Sequence, residues 1–554
     1  MMNQKARRWN SIKKQLFIGS ILFALLPATG CKKDKVKVEP PPSYHVKFNS
    51  NTIAVPSAAG QEVMVFVESN SKWKITLSQA ADWLDLNKTS GTGNDSLKLK
   101  VTKDNVTGQK RTVTITASLT EGQASPAQLV VEQPVFVNNV TISWKKVLGG
   151  NGNEYAYSVV ALPDGSHVIA GSTSSNANGD VGATKGGIDF WVIKLDGNGA
   201  LTWQKTFGGN GNDVPASLAA TPDGGYALCG YSNSNNGDVG ENKGGVDYWV
   251  LKLDGTGNIR WKKILGGTHD DFPNGITVTT QGAIVVAGYT ASKQTGDVGN
   301  NQGSEDYWVV ALENNNGNTI WKKTMGGNGS EKARSIIPTA DGGVIVGGDA
   351  SSSNNGDVPV TKGNIDFWLV RLTGDGNTVW SKTFGGTGNE ALYGLAVGSD
   401  NTLVATGITK SNNSGDVGQS KGNEDYWVTR VNSETGALIW QKTLGGNAAD
   451  YGRSVAVHDN GIVVGGYTQS DNIGDVDNNQ GGSDYFILGL NNDGTVVWKK
   501  TMGGDSDEQL YSISATKDGN CIAVGSTYTN NKGDVGANNG GGDFWVVKFS
   551  TSDN

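Results

Sequence analysis

The chain has 554 residues, 80 of them Gly and 13 Pro, with 16 Trp, 15 Tyr and 13 Phe. That aromatic content excludes a linker-like or disordered chain and predicts two or more turn-rich, aromatic-packed domains. A formal net charge of −7 argues against nucleic acid as a partner.

The first 30 residues read as a signal peptide. Lys5, Arg7, Arg8, Lys13 and Lys14 form a cationic n-region, and the apolar run Leu16–Leu26 is too short for a stable bilayer span. Small residues Ala28, Thr29 and Gly30 precede Cys31, the arrangement a lipoprotein signal peptidase requires. Cys31 would then carry diacylglycerol and a further acyl chain such as palmitate on its freed amine, and several chains anchor where one is marginal. Cleavage takes the formal charge from −7 to −12. Residues 31–43 form a charged, Pro-rich, extended tether. Lys32 rather than Asp follows the cysteine, so an outer-membrane lipoprotein, periplasmic or surface-exposed, is expected.

Residues 44–134 alternate in short runs such as "VMVFV", "WKITL", "LKLKV" and "TVTIT". Period-2 alternation between Ser, Asn and Gly predicts a small immunoglobulin-like β-sandwich. The stretch "WKITLSQAADWLDLNKTSGTGNDSLKLKV", followed by "NVTGQKRTVTITA" and "QLVVEQ", resembles a BACON domain (Bacteroidetes-associated, carbohydrate-binding, often N-terminal). The shared features are Trp73, Trp83-Leu84, the turn at 90–94, Asn105, Arg111 and Glu132-Gln133. The resemblance covers this domain alone and implies carbohydrate binding by name. Trp73 and Trp83 are expected in the core, with the domain as a spacer. Residues 135–139 read as a linker.

From Trp144 the phrase W-x-K-x-x-G-G recurs at Trp203, Trp261, Trp321, Trp380, Trp440 and Trp498, at spacings of 58 to 60 residues. Each unit holds four short strands, a to d, and no 3.6-residue period. The last unit ends after strand c, and the first begins with a lone strand d, "VTISWKKVL". The expected fold is therefore all-β: the sandwich, then a seven-bladed β-propeller over residues 140–550, closed by pairing of its first and last strands, which removes an exposed edge. Residues 551–554 form a tail. "NSETGALIW" (Asn432–Trp440) is similar to the tryptophan-docking repeat of quinoprotein propellers. That likeness covers one strand pair per blade and implies blade-to-blade packing, not a quinone site. Cys229 and Cys521 fall in non-neighbouring blades and read as buried free thiols.

A single site needs different residues in different blades, so residues present in all seven belong to the fold. Asp180, Asp238, Asp297, Asp357, Asp416, Asp475 and Asp534 recur in "GDV", and nine residues on come Asp189, Asp247, Asp306, Asp366, Asp425, Asp484 and Asp543. Asp side chains fix turns through nearby N–H groups. The alternative is a Ca2+ ion in each b–c loop, with Asp180, Asp189, Asp238 and Asp247 as candidate ligands. A third acid series, Glu154, Asp213, Asp271, Glu331, Glu390, Asp450 and Glu508, lies in the d–a loops. It predicts a strongly negative face, or else a set of caps on loop amides.

Beside these acids the blades diverge. One residue on stand Tyr155, Val214, Phe272, Lys332, Ala391, Tyr451 and Gln509; three on stand Tyr157, Ala216, Asn274, Arg334, Tyr393, Arg453 and Tyr511. Aromatics interleaved with Arg, Asn and acids suit glycan binding, so Tyr155, Tyr157, Phe272, Arg334, Tyr393, Tyr451, Arg453 and Tyr511 are the candidate site at the d–a loops. No catalytic motif is present, and His45, His167, His269 and His458 do not converge. The expected function is a non-catalytic, monomeric, membrane-anchored binder of a glycan or envelope protein, without a cofactor. A polysaccharide-active enzyme and a structural scaffold are the alternatives.

Overall fold

The computed structural model describes residues 43–134 and 140–550, apart from 58–59, 104, 106–109, 399 and 459–460. The signal peptide, Cys31 and nearly all of the tether, the linker 135–139 and the tail 551–554 lie outside the described residues. Every regular element described is a β-strand.

The N-terminal part is two sheets around one core. One sheet orders Val46–Phe48, Glu62–Ser69, Asp95–Val101 and Leu84–Leu86; the other orders Thr52–Ala54, Ala127–Gln133, Arg111–Leu119, Lys72–Leu77 and Ser90–Thr92. Strand Glu62–Ser69 buries every second residue at its C-terminal end, as a sheet covered on one face must. Trp73 is 1 % exposed, and its indole N–H donates to the Gly93 carbonyl at 2.9 Å. Trp83 is buried in the same core. Neither ring is free to stack on a sugar. Asn105 and Gln133 are spent on backbone carbonyls of Gln133 and Lys103, at 3.0 and 2.8 Å.

Beyond residue 140 the described chain forms seven four-stranded antiparallel sheets. Sheet 1 orders Glu154–Ala161 (a), His167–Thr173 (b), Asp189–Leu195 (c) and Leu201–Phe207 (d). Sheets 2 to 6 repeat this order, with strand a beginning at Asp213, Asp271, Glu331, Glu390 and Asp450. Sheet 7 takes Glu508–Ala515, Asn520–Thr527 and Asp543–Ser550, and its fourth strand is Thr141–Leu148, paired from Thr141↔Ser550 to Leu148↔Phe544. Each strand a packs against strand a of the next sheet, and that of sheet 7 packs against that of sheet 1.

Two aromatic layers join the sheets. In strand c, each residue after the initial Asp meets the second ring of the neighbouring strand c: Phe190–Trp249, Tyr248–Trp308, Tyr307–Trp368, Phe367–Trp427, Tyr426–Phe486, Tyr485–Trp545 and Trp191–Phe544, with centroids 4.4 to 5.3 Å apart. Tilted contacts at this distance are favourable beyond the area they bury. Farther out, the strand d tryptophans reach the c–d turn of the next sheet. Trp144, Trp261, Trp321, Trp380 and Trp440 donate their indole N–H to a turn carbonyl at 2.7 to 3.1 Å. Each of these rings, Trp203's included, lies over a turn glycine of positive φ, from Gly199 to Gly494. Cys229 and Cys521 are buried free thiols.

Candidate functional site

At each joint between sheets two carboxyl groups meet in the interior. The pairs are Asp543/Glu154, Asp189/Asp213, Asp247/Asp271, Asp306/Glu331, Asp366/Glu390, Asp425/Asp450 and Asp484/Glu508, all fully buried. The strand a acid accepts the N–H of the second joint glycine, four residues back, at 2.6 to 2.8 Å. The strand c aspartate accepts an N–H four residues back through Oδ2, at 2.5 to 2.8 Å. Oδ1 of Asp189, Asp247, Asp366, Asp425, Asp484 and Asp543 has no hydrogen-bond partner.

Burial, reinforced by the neighbouring carboxyl, raises these aspartates. Asp189, Asp247, Asp306 and Asp366 are pushed up to about 6, and Asp484 and Asp543 to about 7. The seven d–a acids are themselves fully buried and form no exposed negative face. They are interior caps, because their oxygens serve glycine N–H groups and hydroxyls at the end of strand b and the start of the b–c loop, such as those of Thr173 and Ser175, at 2.7 and 2.8 Å.

The double glycine follows from the same packing. A Cβ on the first joint glycine would fall 1.8 to 2.5 Å from the neighbouring aspartate Oδ1 in all seven joints. At Gly266 it would also lie 2.8 Å from Asp271 Oδ2. Both carboxyls are held by backbone amides, so the clash cannot relax at a flexible tip. Gly266→Ala should lower the melting temperature by roughly 5 °C or more, with Gly536→Ala, where an added Cβ meets nothing nearer than 3.9 Å, as the neutral control. Equal melting of Gly266→Ala and Gly536→Ala would mean that the joint yields.

The "GDV" aspartates clip the b–c loop to the same joint. Asp180 donates its N–H to the Gly149 carbonyl at 2.9 Å, and its Oδ2 accepts the Gly149 N–H at 3.2 Å. Asp238 repeats this on Gly208 and also binds Lys185 of the preceding loop. Asp180 and Asp238 are thus used by protein donors, whereas Asp189 and Asp247 face another carboxyl.

The variable series behaves differently. In all seven sheets the a–b register slips at one residue, between Ala156/Ser158, Pro215/Ser217, Pro273/Gly275, Ala333/Ser335, Leu392/Gly394, Gly452/Ser454 and Leu510/Ser512. The skipped residues are Tyr157, Ala216, Asn274, Arg334, Tyr393, Arg453 and Tyr511. A bulge re-aims its side chain out of the ladder, and all seven line one central cavity of about 140 Å³. The serine after the bulge fastens the sheets together. Ser158 Oγ accepts the Leu218 N–H, Ser454 Oγ the Ile513 N–H and Ser512 Oγ the Val159 N–H, at 3.0 to 3.3 Å.

The contents of this ring are asymmetric. Tyr157 packs on Tyr511 with centroids 5.5 Å apart, and Tyr155 stacks on Tyr157 at 6.2 Å while its hydroxyl bonds that of Tyr528. Phe272 lies between Tyr231 and Tyr289, at 5.1 and 5.3 Å. Arg334 pairs with buried Asp349 at 3.1 Å, and the other Asp349 oxygen accepts the Leu392 N–H at 2.9 Å. Arg453 lies over Tyr393 at 4.2 Å, and Tyr451 stacks on Tyr467 at 4.9 Å.

Of the eight sequence-derived candidates, Tyr157, Arg334, Tyr393, Arg453 and Tyr511 line the central cavity; Tyr155, Phe272 and Tyr451 lie two residues before the bulge of their strands and stack on neighbouring rings, and all eight belong to strand a rather than to the d–a loop. Sequence reasoning missed Tyr231, Tyr289, Asp349 and Tyr467. They pair with the first variable series from strand b, as in Phe272↔Tyr289 and Lys332↔Asp349. Their signal was present: they occupy the one variable position between an invariant glycine and the strand's last residue. His167 begins a strand b and is buried, with its imidazole pushed down to about 4 by burial.

No family profile matches the chain. A regulatory protein, FlaEY, of Caulobacter vibrioides is 22 % identical over 516 residues, covering 75 % of this chain. The chain spans about half of that protein's length, 52 %. Among solved structures, the WD40 domain of Neurospora crassa Pan2 aligns over 75 % of this chain and 97 % of its own, at 10 % identity and a TM-score of 0.40. A Bacteroides ovatus GH5 xyloglucanase, solved with a heptasaccharide, aligns over 23 % of this chain and 30 % of its own, at 20 % identity and a TM-score of 0.16.

Proposed function

We propose that the chain is a non-catalytic, lipid-anchored envelope protein: an immunoglobulin-like spacer of BACON type carrying a closed seven-bladed propeller that binds a glycan at its central channel. The seven bulges carry this reading. The joints, aromatic layers and loops repeat from sheet to sheet, whereas the re-aimed residue is Tyr, Ala, Asn, Arg, Tyr, Arg and Tyr in turn. A fold requirement would repeat; a surface fitted to one asymmetric ligand would not. The half-buried rings Tyr155, Phe272 and Tyr451 at the rim offer faces for sugars, and Arg334 is spent on Asp349 rather than left as a reactive group.

A glycan array probed with the full chain in detergent should show a defined set of binders. Tyr155→Ala, Phe272→Ala and Tyr451→Ala should each weaken them about 3- to 10-fold, as loss of one aromatic contact does. A blank array, or binders indifferent to all three changes, would remove the glycan reading.

A further inference from the structure

Within the ring, positive charge exceeds negative charge by one. Asp349 is committed to Arg334 through Oδ2 and to the Leu392 amide through Oδ1. Arg453 has no carboxylate within ion-pair distance among the described residues. One terminal nitrogen donates to the Tyr467 hydroxyl at 2.8 Å, and its buried Nε has no acceptor. Tyr393, Tyr467 and Tyr451 surround the guanidinium at 4.2, 5.3 and 5.6 Å from their ring centroids. Those rings favour a cation but give Nε nothing to donate to. Nor do the phenols supply an anion, because burial holds Tyr511 up to about 12 and raises Tyr157 as well. Arg453 is half-buried, so its charge is partly withdrawn from water without an anionic partner, and a guanidinium edge matches the two oxygens of a carboxylate.

We infer that Arg453 makes the neck of the ring an anion subsite that receives a carboxylate carried by the ligand, as on a uronic-acid residue of a glycan. The identity of the carrier rests on the glycan reading; the subsite itself does not. The neck volume of about 140 Å³ is below the roughly 300–1,000 Å³ that encloses a drug-sized ligand. It admits the carboxylate, while the sugar ring stays at the rim near Tyr155 and Tyr451.

The test uses the full chain in detergent and four probes: sodium acetate, free glucuronate, a glucuronate-containing tetrasaccharide and its carboxyl-reduced counterpart. Titration calorimetry should show the acidic tetrasaccharide binding at least about tenfold tighter than the reduced one. Arg453→Gln should erase that difference by weakening the acidic tetrasaccharide at least about tenfold more than the reduced one. If that variant does not fold, Arg453→Lys decides, since it keeps the charge and loses the fork.

Equal binding of the two tetrasaccharides overturns the subsite and leaves the glycan reading standing. If neither sugar binds but acetate raises the parent's melting temperature and not that of Arg453→Gln, the subsite stands and the glycan falls. An acidic preference that survives Arg453→Gln, or no response to any probe, overturns the subsite.

Discussion

Deleting residues 141–148 should lower the melting temperature by more than about 10 °C and drive the chain into aggregates. Strand Thr141–Leu148 covers Asp543–Ser550, whose first seven residues, Asp543–Phe549, are all buried. Without it, the strand "DFWVVKFS" becomes an apolar, unpaired edge, the kind that recruits other chains. Trp144 would be lost as well, and with it the hydrogen bond to Gly197 at 3.0 Å and the cover over Gly199. A synthetic peptide of residues 140–149 added in trans should pair with the open edge and restore most of the loss, since its backbone groups are those the edge lacks. A truncated chain that stays soluble and melts with the parent would show that sheet 7 does not depend on its N-terminal strand.

The pairing of these two strands is legible in the sequence, because a repeat that lacks strand d at one end and carries a spare strand d at the other leaves two edges that match. The outer tryptophan belt is legible for a similar reason: W-x-K-x-x-G-G is local in sequence. The inner aromatic layer is not. Phe190 meets Trp249 and Trp191 meets Phe544, and only the curvature that brings neighbouring strands c together says that an aromatic pair serves two different sheets. The acids stand out as series, but their burial does not. Burial is a three-dimensional quantity, and the spacing of Asp189, Gly208 and Asp213 does not disclose that a Cβ on Gly208 would touch both carboxyls. The bulge is hidden as well. Alternation places Tyr155 and Tyr157 on one face, but the slip that turns Tyr157 into the channel depends on how strand a pairs with strand b.

Melting temperature should be at least about 5 °C higher at pH 5 than at pH 8. The strand c aspartates carry the effect. A carboxyl whose folded value lies above its unfolded value stabilises the fold below the unfolded value, and that contribution is lost as pH climbs through the folded one. With Asp189, Asp247, Asp306 and Asp366 at about 6 and Asp484 and Asp543 at about 7, the loss runs from about pH 4 to pH 7.

His167 opposes this. Its imidazole is held down to about 4, so its contribution is lost as pH falls from about 6.5 toward 4. It is one group against seven joints, and a tenfold change in the acidity of one buried group is worth up to about 1.4 kcal/mol, so the carboxyls prevail. The lowered carboxylates Asp223 and Asp254, at about 2, lose their contribution only below about pH 4, which leaves the maximum near pH 5. Asp484→Asn should raise the melting temperature at pH 8 and reduce the slope. Its Oδ2 role toward the Gln480 amide can pass to the amide oxygen. The new Nδ2 would take the place of unpartnered Oδ1, beside Glu508 Oε2, where it can donate. A melting temperature that does not fall between pH 5 and pH 8, or an Asp484→Asn variant less stable than the parent at pH 8, would show that the buried carboxyl pairs do not set the pH dependence. If calcium rather than a proton relieved these pairs, EDTA would lower the melting temperature at pH 8; with protons it leaves the slope unchanged.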